Sequence, residues 1–305
     1  MTLTEAQRSA FQRDGVLVLE DVVPAPLRAR IEAEYADVIG DLARAHGLMP
    51  RARFLDTLRA VHAAGIDWFQ HLDITLPGDR IDQVTPFHYG PAVHDLLCCP
   101  ALLDLAEAVL GPELTSNPIQ HIRIKPPAGS VAADAPVHTQ RTFWHQDRAV
   151  AHEEADATPM LTVWVAMTDA TTRNGCLRVR PFAPGRRILP HCPFDQTSIP
   201  RDHLHGAVRE LPVRAGGVVL LDPLVPHGAA DNVTDGFRWS FDLRYHASGH
   251  PSGRAHFPDF AVRGAGIAPP DWKTQRDRWV AARLASANAP HVPIHRWTSD
   301  SPHCA

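Results

Sequence analysis

FRWSFDLRYH, residues 237–246, sets Phe237, Trp239, Phe241, Leu243 and Tyr245 on one face and Arg238, Ser240, Asp242 and Arg244 on the other. A period of two over ten residues predicts a β-strand with one apolar and one polar side. Six upstream segments also read as strands: IQHIRIK (119–125), RTFWHQ (141–146), MLTVWVAM (160–167), CLRVRPF (176–182), AVRELPV (207–213) and GVVLLD (217–222). Pro, Gly and Asp separate them, with no helical pattern in between. Seven such strands predict an antiparallel barrel or sandwich, not a parallel sheet.

The flanks read differently. TEAQRSAFQR (4–13) predicts a short helix with Thr4 as its N-cap, and VLVLEDVV (16–23) a strand. Residues 24–40 place Leu27, Ile31 and Tyr35 at helical spacing; residues 41–90 read as helical pieces and loops. A second helix is expected over 96–110, closed by Gly111 and Pro112, and a last one over 271–287. With no internal repeat, residues 1–305 read as a single domain. It has a helical part to about 112, a β core over about 115–246, and a C-terminal helix and tail over about 269–305.

Composition narrows the classes. The chain has 305 residues and a formal net charge of −4, so there is no basic footprint and nucleic acid is not an expected partner. No stretch reaches the roughly 18 apolar residues of a membrane span, and the N-terminus lacks a signal-like apolar run. The expectation is a cytoplasmic protein away from membranes. Five cysteines without a CxxC pair argue against a disulfide scaffold or a thiolate zinc site.

TFWHQD places His145 and Asp147 two apart on a predicted strand, so both side chains face one way. A histidine from a distant strand would complete two imidazoles and one carboxylate, the facial set that leaves positions open on Fe(II). His227, in LLDPLVPHGAADN, is that candidate. A second HxD, His71-Leu72-Asp73, has no strands arranged around it; His203-Leu204-His205 lies in a polar connection and reads as surface. Arg238 follows His227 by eleven residues on the next strand. A guanidinium projecting into a barrel suits a carboxylate bound bidentately. The plainer reading is an ion pair with Asp242 on the same face.

Taken together, these residues resemble the phytanoyl-CoA dioxygenase family of Fe(II)/2-oxoglutarate oxygenases. The matching pieces are FQRDGVLVLEDVV, IKPP (124–127), WHQD (144–147), VWVAMTDATTRNGCLRV (163–179), the histidine of VPHGAADN (225–232) and Arg238. The resemblance implies a mainly β fold with surrounding helices, a double-stranded β-helix (jelly roll, cupin-like). It implies His145, Asp147 and His227 as iron ligands and Arg238 as the anchor for the distal carboxylate of 2-oxoglutarate. Trp164, Thr162 and His121 fall on the cosubstrate side, with an ordinary core aromatic as the other reading of Trp164. Family members often carry Ser where this chain has Ala229, and the family's PGSH stretch reads PFAPG (181–185) here.

The implied cofactors are Fe(II), 2-oxoglutarate and O2, and the implied reaction is hydroxylation of a small molecule with release of succinate and CO2. Related halogenases carry Ala or Gly in place of Asp147, so hydroxylation is expected over halogenation. Desaturation, epoxidation or cyclisation by the same oxidant stays open, as does a metal-binding jelly roll with a binding or sensory role. A zinc hydrolase would leave Arg238 without a task. Arg123 and Lys125 on one strand and Arg178 and Arg180 on another are candidates to line a pocket for an acidic or polar substrate.

Overall fold

The computed structural model describes residues 2–78, 80–131, 139, 141–193, 196–293 and 296–304. Its strands are β1 (Val16–Leu19), β2 (Leu114–Ser116), β3 (His121–Lys125), β4 (Thr142–His145), β5 (Met160–Ala166), β6 (Leu177–Val179), β7 (Cys192–Pro193), β8 (Thr197–Ser198), β9 (Arg209–Leu211), β10 (Val218–Leu221), β11 (His227–Ala229), β12 (Arg238–Ala247) and β13 (Phe260–Arg263). The large sheet runs β1-β10-β5-β12-β2-β13, with β3 also paired to β12; the small sheet runs β4-β11-β6-β9. Neighbours in both sheets pair antiparallel. From β3 to β12 the chain winds back and forth between the two sheets. This is a double-stranded β-helix, the jelly roll expected from the strand pattern.

The alternation of side chains decides what each sheet face does. Leu161, Val163 and Val165 of β5 and Trp239, Phe241, Leu243 and Tyr245 of β12 turn outward into the main apolar core. Trp164 and Ala166, from the other face of β5, join Leu177, Val179, Val219 and Leu221 inside the barrel. The polar face of β12 therefore points inward, and Arg238, Ser240 and Arg244 are buried there.

Helices cover the outer face of the large sheet. α1 (Glu5–Asp14) starts with a capping box in which Thr4 accepts from the Gln7 N–H and Gln7 accepts from the Thr4 N–H. It ends at Gly15, φ 67°, where a Cβ would lie 2.2 Å from the Phe182 ring, so both backbone and space demand glycine. α2 (Ala25–Ala45) buries Leu27, Ile31, Tyr35, Ile39 and Leu42 as one stripe. Tyr35 meets Phe54, Trp239 and Phe241, fixing α2 and α3 (Phe54–Ala63) to the back of β12. Burying an aromatic of this size is worth about 2–3 kcal/mol. α4 (Phe69–Leu72), α5 (Pro91–Leu97) and α6 (Pro100–Leu110) complete this layer, and α8 (Trp272–Ala287), capped by Asp271, follows α7 of the small sheet's edge (Asp147–Val150).

Three expectations need correction. The helix over 96–110 is two helices, because Pro100 cannot continue α5 and instead sits at the start of α6. The strand over 16–23 stops at Leu19, and Val22 and Val23 donate to Gly216 O outside the ladder. Cys192 and Cys304 form a disulfide across 112 residues, with Cα atoms 5.5 Å apart; a lone bond at that separation leaves no spacing pattern to find. Among the described residues no helix is long and apolar enough to cross a membrane.

Candidate metal centre

β4 and β11 pair in a register that sets His145 directly opposite His227. Their ring centroids are 4.3 Å apart. β11 is only His-Gly-Ala, a sequence with little strand propensity, and it exists because β4 and β6 bond it from both sides. A Cβ on Gly228 would lie 2.8 Å from Thr142 O, so a side chain there would push β4 away. Asp147 arrives differently from the expectation of a shared strand. β4 ends at His145, Gln146 remains extended (φ −116°, ψ 135°), and Asp147 opens the short helix α7. The strand end and the following turn together bring the carboxylate to the imidazoles.

The tautomers follow from the hydrogen bonds. His145 Nδ1 lies 2.9 Å from Phe143 O, and His227 Nδ1 3.0 Å from Val225 O. A carbonyl only accepts, so each Nδ1 carries the proton and each Nε2 presents a lone pair. Those Nε2 atoms lie 3.6 and 3.8 Å from Asp147 Oδ1. One ligand atom from each of the three residues falls within 4.8 Å of the others. Two lone pairs and an anionic oxygen facing one point are a set that a divalent cation satisfies. Burial, reinforced by His145, lowers the His227 imidazole to about 4, which keeps it neutral and able to ligate. Burial alone would raise the Asp147 carboxyl, but Arg244, His227 and His145 outweigh it and hold it well below the usual carboxylate range.

Both carboxylate oxygens are engaged. Thr162 Oγ1 donates to Oδ2 at 2.5 Å, so Thr162, expected beside a cosubstrate, orients the aspartate. Arg244 donates to Oδ1 through Nη2 and to Ile119 O through Nη1. Its place on the inward face of β12 was legible in the alternation, but its partner was not. Gln146, between the two candidate ligands, is fully buried. Its amide donates to Arg187 O and Leu224 O and accepts from Leu189 N–H, while its own N–H donates to His191 Nε2. His191 in turn stacks on Trp297 at 5.0 Å. Burial drives its imidazole down to about 3. No spacing in the sequence singles out Gln146 or His191.

Arg238 is 1% exposed and lines the same small cavity as the three candidate ligands, Thr162, Trp164 and Arg123. The cavity encloses about 20 Å³, room for one water-sized group. Arg238 does not pair with Asp242: it donates to Ser240 Oγ at 2.6 Å and lies 5.4 Å from the Trp164 ring centre, while Asp242 pairs with Arg123 at 2.9 Å. Burial, with Arg123 adding repulsion against an opposing Asp242, brings the guanidinium down to about 10. His121 is outside the cavity lining. Its Nδ1 lies 2.8 Å from Asp73, and it stands opposite Asp242 in the β3–β12 register. The second HxD therefore supplies Asp73 to hold the start of β3. His203 meets His303 at the partly exposed edge of the chain. Arg123 reaches the cavity, whereas Arg178 and Arg180 project from the opposite face of β6, since Leu177 and Val179 point inward.

The family described as Phytanoyl-CoA dioxygenase (PhyH) matches residues 11–240 of this chain. The peroxisomal phytanoyl-CoA dioxygenase of Mus musculus is 22% identical over 263 residues, covering 81% of this chain and 69% of that protein. Among solved structures, the non-heme monooxygenase ThoJ in its apo form superposes with a TM-score of 0.58 at 21% identity, covering 92% of this chain and 96% of that one. The epimerase SnoN in complex with Fe3+, alpha ketoglutarate and nogalamycin RO gives 0.52 at 21% identity, covering 87% and 92%. These likenesses establish a shared fold.

Proposed function

The chain belongs to the phytanoyl-CoA dioxygenase family of iron(II)/2-oxoglutarate-dependent oxygenases, and from that membership we propose that it hydroxylates an unactivated C–H bond of a small-molecule metabolite. The observation that carries the reading is the direct pairing of His145 with His227, each with Nδ1 tied to a carbonyl and Nε2 turned to Asp147. In this reading His145, Asp147 and His227 hold Fe(II). Bound together, Fe(II) and 2-oxoglutarate supply the oxidant for O2-dependent chemistry, with succinate and CO2 as products.

The chain's own residues bind, orient and shield. Arg238, buried and short of acceptors, receives the distal carboxylate of 2-oxoglutarate, and Trp164 walls the cosubstrate on one side. Thr162 fixes the plane of the Asp147 carboxylate, and His121, held by Asp73 at the start of β3, supports the neighbouring strand from outside the cavity. With Asp147 present, no position is vacated for a halide. Arg123, paired with Asp242 and partly exposed, stands between the cavity and solvent and favours an acidic or polar substrate. Admitting a five-carbon diacid into a cavity of this size requires lining side chains to move, and the partly exposed Arg123–Asp242 pair is the one we assign to that movement. Residues 1–305 act together as one catalytic domain.

Anaerobic titration with Fe(II) and 2-oxoglutarate tests it: the expected outcome is a weak visible chelate band, followed by succinate release when oxygen and substrate are added. A chain that binds neither would refute it, and one that forms the band but epimerises or cyclises its substrate would refute the hydroxylation.

A further inference from the structure

Four arginines gather on the outer face of the small sheet. Arg141, Arg178, Arg180 and Arg201 line a groove of about 530 Å³ together with Phe143 and Trp144. It lies back to back with the candidate metal cavity: Trp144 immediately precedes His145 in β4, and among the described residues Thr142 alone lines both spaces. Arg178 and Arg180 both flank the Trp144 ring, with guanidinium carbons 5.6 and 5.2 Å from its centre. Arg141 lies 4.8 Å over Phe143.

Among the described residues no acid lines this groove. Among the described residues none of the four guanidiniums has a carboxylate at ion-pair distance. Glu210, opposite Arg178 in the β6–β9 register, is exposed and makes no ion pair with it. The Nε–H groups of Arg178 and Arg180 are buried without an acceptor. Of the remaining donors, Arg180 Nη1 bonds Gly206 O. In a chain of net charge −4, four cations gathered in one groove repel one another, and the ring contacts offset only part of that cost. Planar guanidiniums held on aromatic faces are already oriented to bind oxyanions bidentately.

We propose that this groove is a second binding site, separate from the metal centre, for a small molecule carrying two or more anionic oxygen groups. Its ligand is a polyphosphate-type or a polycarboxylate-type anion, and the site stands on the groove whether or not the chain binds iron.

Calorimetric titration of the full chain at low ionic strength, with pyrophosphate and separately with citrate, tests this. Binding of either at millimolar concentration or below is expected, and which one binds tells the two sources apart. Arg178→Gln combined with Arg180→Gln should weaken it by at least about tenfold, the loss expected for one charge-assisted hydrogen bond or more. Arg238→Met should leave it unchanged. Hydrogen exchange on the unsubstituted chain gives an independent readout, with pyrophosphate or citrate slowing exchange over 141–145, 176–182 and 197–206. No binding of either anion, binding insensitive to the double substitution, loss of binding in Arg238→Met, or protection elsewhere would each overturn the proposal.

Discussion

Replacing Arg238 by methionine should weaken 2-oxoglutarate binding severely and, without cosubstrate, leave the chain slightly more stable. Burial pulls the guanidinium from its ordinary value down to about 10, a penalty of about 3 kcal/mol that is present throughout the neutral range. Methionine fills similar space without that charge. It loses the Ser240 hydrogen bond, about 1 kcal/mol, and the contact over Trp164, about 0.5–1 kcal/mol. The balance is roughly 1 kcal/mol in favour of the variant, an upward shift in Tm of at most about 2–4 °C. Binding moves the other way. Two charge-assisted bonds at about 1.5–3 kcal/mol each correspond to a Kd raised by about 10²- to 10⁴-fold. Calorimetry with 2-oxoglutarate on the anaerobic, metal-loaded chain measures the second quantity, and a thermal melt without cosubstrate the first. A Kd within tenfold of the parent chain, or a Tm that falls by several degrees, would refute the reasoning.

Other substitutions test the surroundings of the centre. Thr162→Val keeps shape but removes the hydroxyl on Asp147, and should lower iron affinity by about 10- to 100-fold with little change in Tm; unchanged affinity in a chelator competition counts against that role. Gln146→Leu strands two carbonyls and the Leu189 N–H, so denaturant unfolding should fall by about 2–4 kcal/mol, and a change under about 0.5 kcal/mol would contradict the assigned bonds. Cys304→Ser opens the link to Cys192 and should cost up to about 4–5 kcal/mol of unfolding free energy; identical denaturation of oxidised and reduced protein would mean that the bond does not form.

What could be read in the sequence was whatever repeats along it. The alternation in β5 and β12 announced both the sheet and the face on which Arg238 and Trp164 lie, because period two is a local property. His145 and Asp147 were legible for the same reason, although a turn and not a common strand joins them. β11 was not, since three residues held by neighbours on both sides carry no pattern of their own. The partners of Asp147 escaped as well: Arg244 is 97 residues away along the chain, and only the folded sheet brings them together. His191 and the Cys192–Cys304 bond belong to the same class, contacts made by a connection and a tail whose sequences have no period. Pro100 was legible and went unused: a helix spanning 96–110 ignores it.

β4 is a partition one strand thick, with an indole on either side of the wall: Trp164 in the inner chamber beside Arg238, Trp144 against the outer arginines. Two of the chain's seven tryptophans thus report optically on separate compartments. Replacing one indole at a time by phenylalanine assigns its share of the emission to a single compartment. Filling of the inner chamber and of the outer groove then registers as two separable fluorescence signals, without any added dye.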